Sequence, residues 1–176
     1  DMGRLLSDVK LLLSSRPEAS DTRILLGGDE GEPFPADPEQ LRQVFLNLGL
    51  NALQAMNEHP RKELSVQITV VSLHHAPGIP REKVIDRLNR PGVLIEVSDT
   101  GPGIPPEVAE QIFEPFYTTK ATGTGLGLAI VERIVQAHEG LIAVESKLGI
   151  GTTFRIWLPC DLSVPAQVSG LRPVIV

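Results

Sequence analysis

The sequence predicts an α/β fold, a two-layer sandwich of helices on a mixed sheet. Two apolar patterns support this prediction: spacing of 3.6 residues, typical of helices, and short alternating or continuous runs, typical of strands. They mix along the chain without the strict alternation of a doubly wound sheet. With 176 residues, 41% of them hydrophobic, the chain is long enough for one well-buried core and too short for two full-sized ones.

The first half of the chain begins with a helix and a short strand. The helix is predicted over residues 2–15 and the strand over residues 22–26. The clearest helix runs from residue 38 to about residue 58, because its apolar side chains fall on one face. Asp37 is its expected N-cap, and Gln40 is placed to close a capping box.

Four further strands complete the predicted sheet. Two lie at residues 64–73 and 93–99, and their long connector contains a candidate helical turn at 81–88. The last two lie at residues 141–146 and 153–158.

Two helices are predicted between the third and fourth strands. A short one follows Pro105, and an irregular segment then runs through Thr124. The second helix continues to about His138, with Gly140 as the expected C-cap.

Composition excludes several classes of partner. The net charge of -6 and the pI near 5.2 argue against nucleic-acid binding and against contact with anionic membranes. No apolar run approaches the roughly 20 residues of a membrane helix. The single cysteine, Cys160, excludes an internal disulfide and suits a reducing compartment, so a cytoplasmic location is expected.

The segment SDTGPGIPPE, residues 98–107, places a carboxylate at the end of an apolar strand. Asp99 shares a face with the apolar residues two, four and six positions before it. A buried carboxylate needs hydrogen-bond donors, and the exocyclic amine of a purine is one. Gly101 and Gly103 leave room for a turn and for a planar base. Alternatively, Asp99 caps the helix after Pro105 or stabilises a turn.

The segment GTGLGLAI leads three glycines, Gly123, Gly125 and Gly127, directly into an apolar helix. Free backbone N–H groups at a helix start favour phosphate, although a flexible loop is the alternative. Leu128 stands where a Rossmann fingerprint needs glycine, and no Gly-Lys pair of a P-loop is present. Lys120, just before the glycines, is the natural cation for a terminal phosphate, unless it is an ordinary solvated lysine.

A polar stripe runs beside the apolar face of the long helix. It consists of Asn47, Asn51, Gln54 and Glu58. Neutral amide oxygens can complete a magnesium shell made mostly of phosphates and water. A solvent-exposed flank is the more common explanation of such a stripe.

Together and in this order, five motifs resemble the ATP-binding catalytic domain of sensor histidine kinases. This family belongs to the superfamily of gyrase, the heat-shock chaperone and the mismatch-repair ATPases, which share the Bergerat-type ATP-binding fold. The matching motifs are QVFLNLGLNALQAM (N box), SDTGPGIPPE (first glycine box), IFEPFYTTK (F box), GTGLGLAIVERIVQAHEG (second glycine box) and GIGTTFRIWLP (closing motif). The match covers roughly residues 37–159.

The resemblance implies ATP and Mg²⁺ as cofactors. It makes Asn51 the magnesium ligand and Asp99 the adenine-reading carboxylate. Phe113 and Phe116 would anchor a mobile ATP lid, a role that is compatible with plain core packing at one edge. The other implied nucleotide-binding residues are Gly101, Gly103, Lys120, Thr122, Gly123, Thr124, Gly125, Leu126, Gly127 and Thr152.

Asn47 separates the leading hypotheses. In the superfamily's ATPases, a glutamate one turn before the magnesium asparagine activates water, and here that position is Asn47, whose amide cannot act as a base. We therefore expect a protein-histidine kinase that passes the γ-phosphoryl group to another nucleophile, with Asn47 and Lys120 at the reacting end. The alternatives are a superfamily ATPase that closes a clamp, and a degenerate nucleotide-binding scaffold.

The acceptor histidine and the partners are expected outside this sequence. None of the four histidines has the family's acceptor setting, in a dimerising helix before an acidic residue and a proline; they are His59, His74, His75 and His138. Expected partners are a histidine-bearing dimerisation domain and the receiver domain of a response regulator. Residues 1–16 resemble the end of a dimerisation helix, and residues 17–159 form the catalytic domain. Residues 160–176 form a tail whose GLRPVIV would suit the first strand of a following domain.

Overall fold

The computed structural model describes residues 2–28, 36–72, 78–79, 91–120 and 123–160. They form nine helices and strands and one short 3-10 turn at Pro17–Ala19. In chain order the elements are α1 (Met2–Ser14), β1 (Arg23–Gly28), α2 (Pro38–Ala55), β2 (Glu63–Ser72), β3 (Pro91–Asp99), α3 (Pro106–Ala109), α4 (Gly127–Ala137), β4 (Leu141–Lys147) and β5 (Gly151–Pro159).

The five strands form one open mixed sheet in the order β1-β2-β3-β5-β4. Only β1 and β2 pair in parallel; the other neighbours are antiparallel. In the register of β3, Asp99 lies opposite Leu64 on β2 and Thr152 on β5. The predicted α/β fold with a mixed sheet is confirmed.

The main core lies between one face of the sheet and helices α1, α2 and α4. Its largest fully buried side chains include Phe45 and Leu48 on α2 and Ile95 and Ile156 on the central strands. Leu6 of α1 belongs to the same cluster, so α1 is part of the core layer. A second, smaller cluster on Leu94, Trp157 and Ile79 covers part of the sheet.

The start of α2 is capped as predicted, but without the capping box. Asp37 Oδ1 accepts hydrogen bonds from the backbone amides of Glu39 and Gln40, at 2.9 and 3.4 Å. The prediction for the Gln40 side chain is wrong, because it donates to the Asp37 carboxylate instead of accepting from the Asp37 amide. That amide donates to Nε2 of His138, 3.2 Å away, and this contact joins the start of α2 to the end of α4.

The end of α4 differs from the predicted glycine cap. His138 is the C-cap, and Glu139 rather than Gly140 takes the left-handed conformation, with φ of 55°. The amides of Gly140 and Glu139 bond to the carbonyls of Val135 and Gln136 in a Schellman motif. Gly140 is needed for space instead, since a Cβ there would overlap Leu158.

Several element ends differ from the prediction by a few residues. Strand β1 continues through Gly27 and Gly28 because its parallel pairing with β2 continues to Ile68. Helix α2 ends at Ala55, where a tight turn with an Asn57 N–H to Gln54 C=O bond replaces the helical ladder. The candidate helical turn at 81–88 lies outside the described residues.

Candidate nucleotide-binding site

One large cavity of about 740 Å³ opens between α2, the ends of β3 and β5, and the described residues 117–120 and 123–127. This volume falls within the range of small-molecule and cofactor sites. Its apolar lining includes Leu50, Ala55, Ile104, Val108, Ile112 and Phe154. The predicted site residues that line it are Asn47, Asn51, Asp99, Gly103, Lys120, Gly123, Thr124, Gly125, Gly127 and Thr152.

Asp99 lies in the cavity wall at the end of β3, half-buried. Burial raises the pKa of its carboxyl group, and hydrogen bonds from the backbone amides of Gly101 and Thr152 oppose this rise. The Gly101 amide lies 2.8 Å from Asp99 Oδ1, so the carboxylate does stabilise the turn. It does not cap the following helix, because Pro105 is the N-cap of α3 and no side chain caps it.

Gly101 and Gly103 shape the wall next to Asp99 in different ways. Gly101 does not line the cavity; a Cβ there would come within 2.8 Å of Asp99 Oδ1 and 3.3 Å of Met56. Gly103 does line it, and its φ of 77° is one that L-residues rarely adopt. Both positions therefore hold the backbone where a bulkier residue would displace it.

Thr152 is buried to 5% exposure, directly across the strand pair from Asp99. Its hydroxyl lies 2.9 Å from Ser146 Oγ, which also accepts a hydrogen bond from the Ile104 amide at 2.7 Å. Ser146 therefore joins β4, β5 and the segment after Gly103. Ser146 is not among the residues that the sequence predicts, because its bond with the Ile104 amide joins parts of the chain 42 residues apart.

The polar end of the cavity is built from α2 and the segment before α4. Asn47 Nδ2 donates to the Gly127 carbonyl at 3.2 Å, so one turn of α2 is joined to the first residue of α4. Lys120 Nζ donates to Asn51 Oδ1 at 3.1 Å and to Gln54 Oε1 at 2.7 Å. Burial lowers the pKa of Lys120. The sequence places Gln54 in the polar stripe of α2 but does not predict it as a site residue, and in the structure it lines the cavity.

The glycine segment enters α4 without a side-chain cap. The N-cap is Leu126, and the first helical residues, Gly127 and Leu128, line the cavity. Because the first turn of a helix leaves backbone N–H groups without helical partners, this end of the cavity suits an anion. A Cβ at Gly127 would stand 3.8 Å from Asn51 Nδ2, an ordinary van der Waals contact, so the start of α4 lies directly beside α2.

Besides Gly101, four predicted residues either lie away from the cavity wall or are outside the described residues. Phe113 packs edge-on against Phe154, with ring centroids 6.4 Å apart, and it contacts the core. Phe116 is 75% exposed, with a left-handed φ of 68°. Leu126 does not line the cavity either, and Thr122 is outside the described residues.

The donor set fits a magnesium ion held mainly by a nucleotide. No group of three or more His, Cys, Asp or Glu side chains that could hold a metal occurs among the described residues. The oxygen of Asn51 already binds a cationic group, the Lys120 ammonium, at the end of the cavity that suits phosphate. One amide oxygen can complete a magnesium shell supplied otherwise by phosphates and water.

Comparison with known proteins defines the class. The sequence model of the histidine kinase-, DNA gyrase B- and HSP90-like ATPases matches residues 36–162, and the chain belongs to this family. The chain is 36% identical over 164 residues to sensor histidine kinase ZraS of Escherichia coli K12, covering 93% of this chain and 31% of that protein. Within the family, it is the ATP-binding catalytic domain of a sensor histidine kinase.

Solved structures agree with this assignment. The catalytic domain of histidine kinase ThkA, in a nucleotide-free form, superposes with a TM-score of 0.66 at 28% identity, covering 90% of this chain and 91% of that one. Full-length ShkA in complex with AMPPNP superposes with a TM-score of 0.66 at 31% identity, covering 90% of this chain and 30% of that one. The chain spans about a third or less of the length of the curated relatives that it matches.

No helix among the described residues is long and apolar enough to cross a membrane.

Proposed function

We propose that this chain binds Mg-ATP in the cavity and transfers its γ-phosphoryl group to a histidine on a dimerisation domain. The adenine would contact Asp99 and Thr152, and the phosphates would lie against the start of α4. Two of the compared proteins support the proposal: ZraS is named a sensor histidine kinase, and ShkA was solved with AMPPNP.

The proposal of transfer rather than hydrolysis depends on one observation: among the described residues, Asp99 is the only carboxylate in the cavity wall. Asp99 stands at the end of β3, whereas Asn47 stands beside the start of α4 with its amide bonded to the Gly127 carbonyl. An amide cannot accept a proton from water, so water at this end lacks a general base. The site therefore suits an acceptor that brings its own nucleophile.

The residues of this chain would act by positioning and by charge. Lys120 brings a positive charge to the polar end, and the N–H groups at the start of α4 would bind phosphate oxygens. Asn51 would supply one oxygen to magnesium, which neutralises charge on the phosphates when it is bound. Asn47 would keep α4 at a fixed distance from α2 through its bond to Gly127.

The partners and domain limits are part of the same proposal. His59 and His138 are engaged in bonds with backbone groups, and neither lines the cavity. We therefore place the acceptor on a dimerisation domain, with residues 1–16 as the end of its helix or linker, and a response regulator as the next recipient. Residues 17–159 would be the catalytic domain and 160–176 a tail, all on the cytoplasmic side.

A substitution at Asn47 tests this function. Asn47→Glu should raise slow ATP hydrolysis, because it supplies a base beside the phosphates; released phosphate measures this. Asn47→Gln is the matched control, with the same length and no carboxylate. Equal phosphate release from both variants would contradict the role given to this position.

The competing function, an ATPase that closes a clamp, predicts brisk turnover by the chain alone. Calorimetry with Mg-ADP and a nonhydrolysable ATP analogue should show binding, and the chain alone should hydrolyse ATP slowly. Adding a dimerisation domain should yield acid-labile phosphate. Fast hydrolysis without that domain would favour the ATPase, and absence of binding would reject both.

A further inference from the structure

Lys120 is held at the polar end of the cavity by two neutral oxygens. Its Nζ lies 3.1 Å from Asn51 Oδ1 and 2.7 Å from Gln54 Oε1. In the described part of the chain it forms no ion pair with a carboxylate, unlike Lys62, which pairs with Asp21. An ammonium that leaves bulk water normally pairs with a carboxylate, so this arrangement needs an explanation.

Fixing a lysine also costs conformational entropy, because a long side chain loses its rotamer freedom. Two neutral acceptors offset part of that cost. The Lys120 side chain is held at the polar end of the cavity. The only carboxylate among the described lining residues, Asp99, lies elsewhere, at the end of β3. The position of the ammonium therefore makes chemical sense if an anion later joins it.

We propose that Gln54 is a positioning residue for Lys120: it keeps the ammonium at the phosphate end when magnesium takes over the oxygen of Asn51. This inference rests on the proposed function. In the protein without nucleotide, Lys120 is the cation on Asn51, and with Mg-nucleotide bound it turns to the terminal phosphate while it remains bonded to Gln54.

The exchange follows from the geometry of one oxygen. Magnesium binds its oxygen ligands at about 2.1 Å, so an ammonium that stays 3.1 Å from the same oxygen would lie close enough to the metal for the two cations to repel each other. This repulsion favours release of the ammonium from Asn51. Gln54 lies three residues further along α2, on the same side of the helix. It can therefore hold the Lys120 ammonium when the oxygen of Asn51 binds magnesium.

The donor count is consistent with this role. An ammonium has three N–H donors, and two of them are used by Asn51 and Gln54. Release from Asn51 leaves two donors for phosphate oxygens. An arginine would carry the same charge, but its planar fork would not match these two acceptors in the same way.

The first test concerns the protein without nucleotide. Gln54→Met keeps the length of the side chain and removes the oxygen, so the NMR signals of the Lys120 side chain should move toward those of a free lysine. Gln43→Met makes the same chemical change on an exposed part of α2 outside the cavity and should leave them unchanged. Unchanged Lys120 signals in Gln54→Met would overturn the proposal.

The second test uses calorimetry with Mg-AMPPNP and Mg-ADP. Because Lys120 is bonded to Gln54 both without and with nucleotide, the energy of that bond cancels in the affinity, and what Gln54→Met loses is the prior placement of the ammonium. Ordering this side chain only on binding should weaken Mg-AMPPNP binding about 2- to 12-fold, with a smaller loss for Mg-ADP. In a Lys120→Met background the same substitution should add no further loss, because Gln54 acts through Lys120. A full additional loss in that background, or an equal loss in Gln43→Met, would overturn the proposal.

The two proposals fail in different ways. If the unmodified chain binds neither nucleotide, the proposed function is rejected and this inference falls with it. If the unmodified chain binds both and Gln54→Met binds them equally well, only the role of Gln54 is rejected.

Discussion

Asp99 is a charged residue at the buried end of an apolar strand. Burial raises the pKa of its carboxyl group, which means that the ionised form is disfavoured by the fold. The backbone amides of Gly101 and Thr152 compensate only in part. The remaining acceptor capacity faces a cavity, and an adenine amine is a suitable donor for it.

Asp99→Asn should weaken nucleotide binding and leave the fold intact. Asparagine can still accept the hydrogen bond from Gly101, but an uncharged acceptor binds an amine less strongly. A hydrogen bond to a charged group contributes about 1.5–3 kcal/mol, so affinity for Mg-AMPPNP should fall roughly 10- to 100-fold or more. Calorimetry measures the affinity and near-UV circular dichroism checks the fold. Undiminished affinity in a folded variant would reject the adenine-reading role.

The same residue predicts how stability changes with pH. Because the pKa of Asp99 is raised in the folded state, ionisation of Asp99 destabilises the fold above the folded-state pKa. This destabilisation disappears as pH falls below the unfolded-state pKa. Relative to Asp99→Asn, the unmodified chain should therefore gain free energy of unfolding as pH falls from 7 to about 4. Urea unfolding of both proteins at each pH measures the two free energies of unfolding. If the unmodified chain does not gain free energy of unfolding relative to Asp99→Asn as the pH falls, the prediction is contradicted.

At the scale of elements, two non-adjacent helices are joined to make the phosphate end. Asn47 joins the middle of α2 to the start of α4, and His138 joins the end of α4 to the start of α2. The segment between α3 and α4 is closed at its base by a hydrogen bond from the Phe116 amide to the Gly125 carbonyl, at 2.9 Å. Both Phe116 and Gly125 have left-handed backbone conformations, with φ of 68° and 67°.

Gly125→Ala should disrupt this base and weaken nucleotide binding. A Cβ at Gly125 would overlap the backbone of Phe116, which a side-chain movement cannot relieve. Gly149→Ala is the matched control, because φ is 73° there and no atom lies within 4 Å of the added Cβ. Backbone strain should lower the free energy of unfolding of both variants by about 1–2 kcal/mol. Only Gly125→Ala should also bind Mg-ADP more weakly in calorimetry. Equal affinities would show that the base of this segment does not determine binding.

At the scale of the whole molecule, α1 and the sheet share one core. Leu6 is 1% exposed and lies in the same cluster as the central strands, whereas Leu11 on the same helix is 72% exposed. The proposed functional boundary after residue 16 therefore does not coincide with a gap in packing. A cooperative unit that includes α1 should unfold in one transition.

Leu6→Ala should lower the free energy of unfolding by about 2–5 kcal/mol, as deletion of a buried leucine does. Leu11→Ala should change it by less than about 0.5 kcal/mol, since that side chain is exposed. Denaturant unfolding can be followed by the fluorescence of Trp157, the only tryptophan, which lies on β5 in a different hydrophobic cluster from Leu6. A Trp157 transition insensitive to Leu6→Ala would show that α1 is a separate unit.

The amino-acid sequence was enough to predict the order of the elements, the α/β class with a mixed sheet, and the ten cavity residues named above. Periodicity and turn residues are local signals, and α2, β3 and the glycines before α4 carry strong ones. Family motifs then assigned roles to Asn51 and Asp99 that geometry alone would not have given.

Which distant groups meet depends on the folded arrangement and could not be predicted from local patterns. The contacts of Gln54 with Lys120, of Ser146 with Ile104, and of His138 with the start of α2 join residues far apart in the chain. The missing capping box has the same cause, because the Asp37 amide donates to His138 of α4. The end of α4 differs for a local reason, since Glu139 takes the left-handed conformation and its amide bonds to the Gln136 carbonyl. Hydrogen-bond partners are chosen by the folded arrangement, whereas apolar periodicity depends only on the local geometry of the chain.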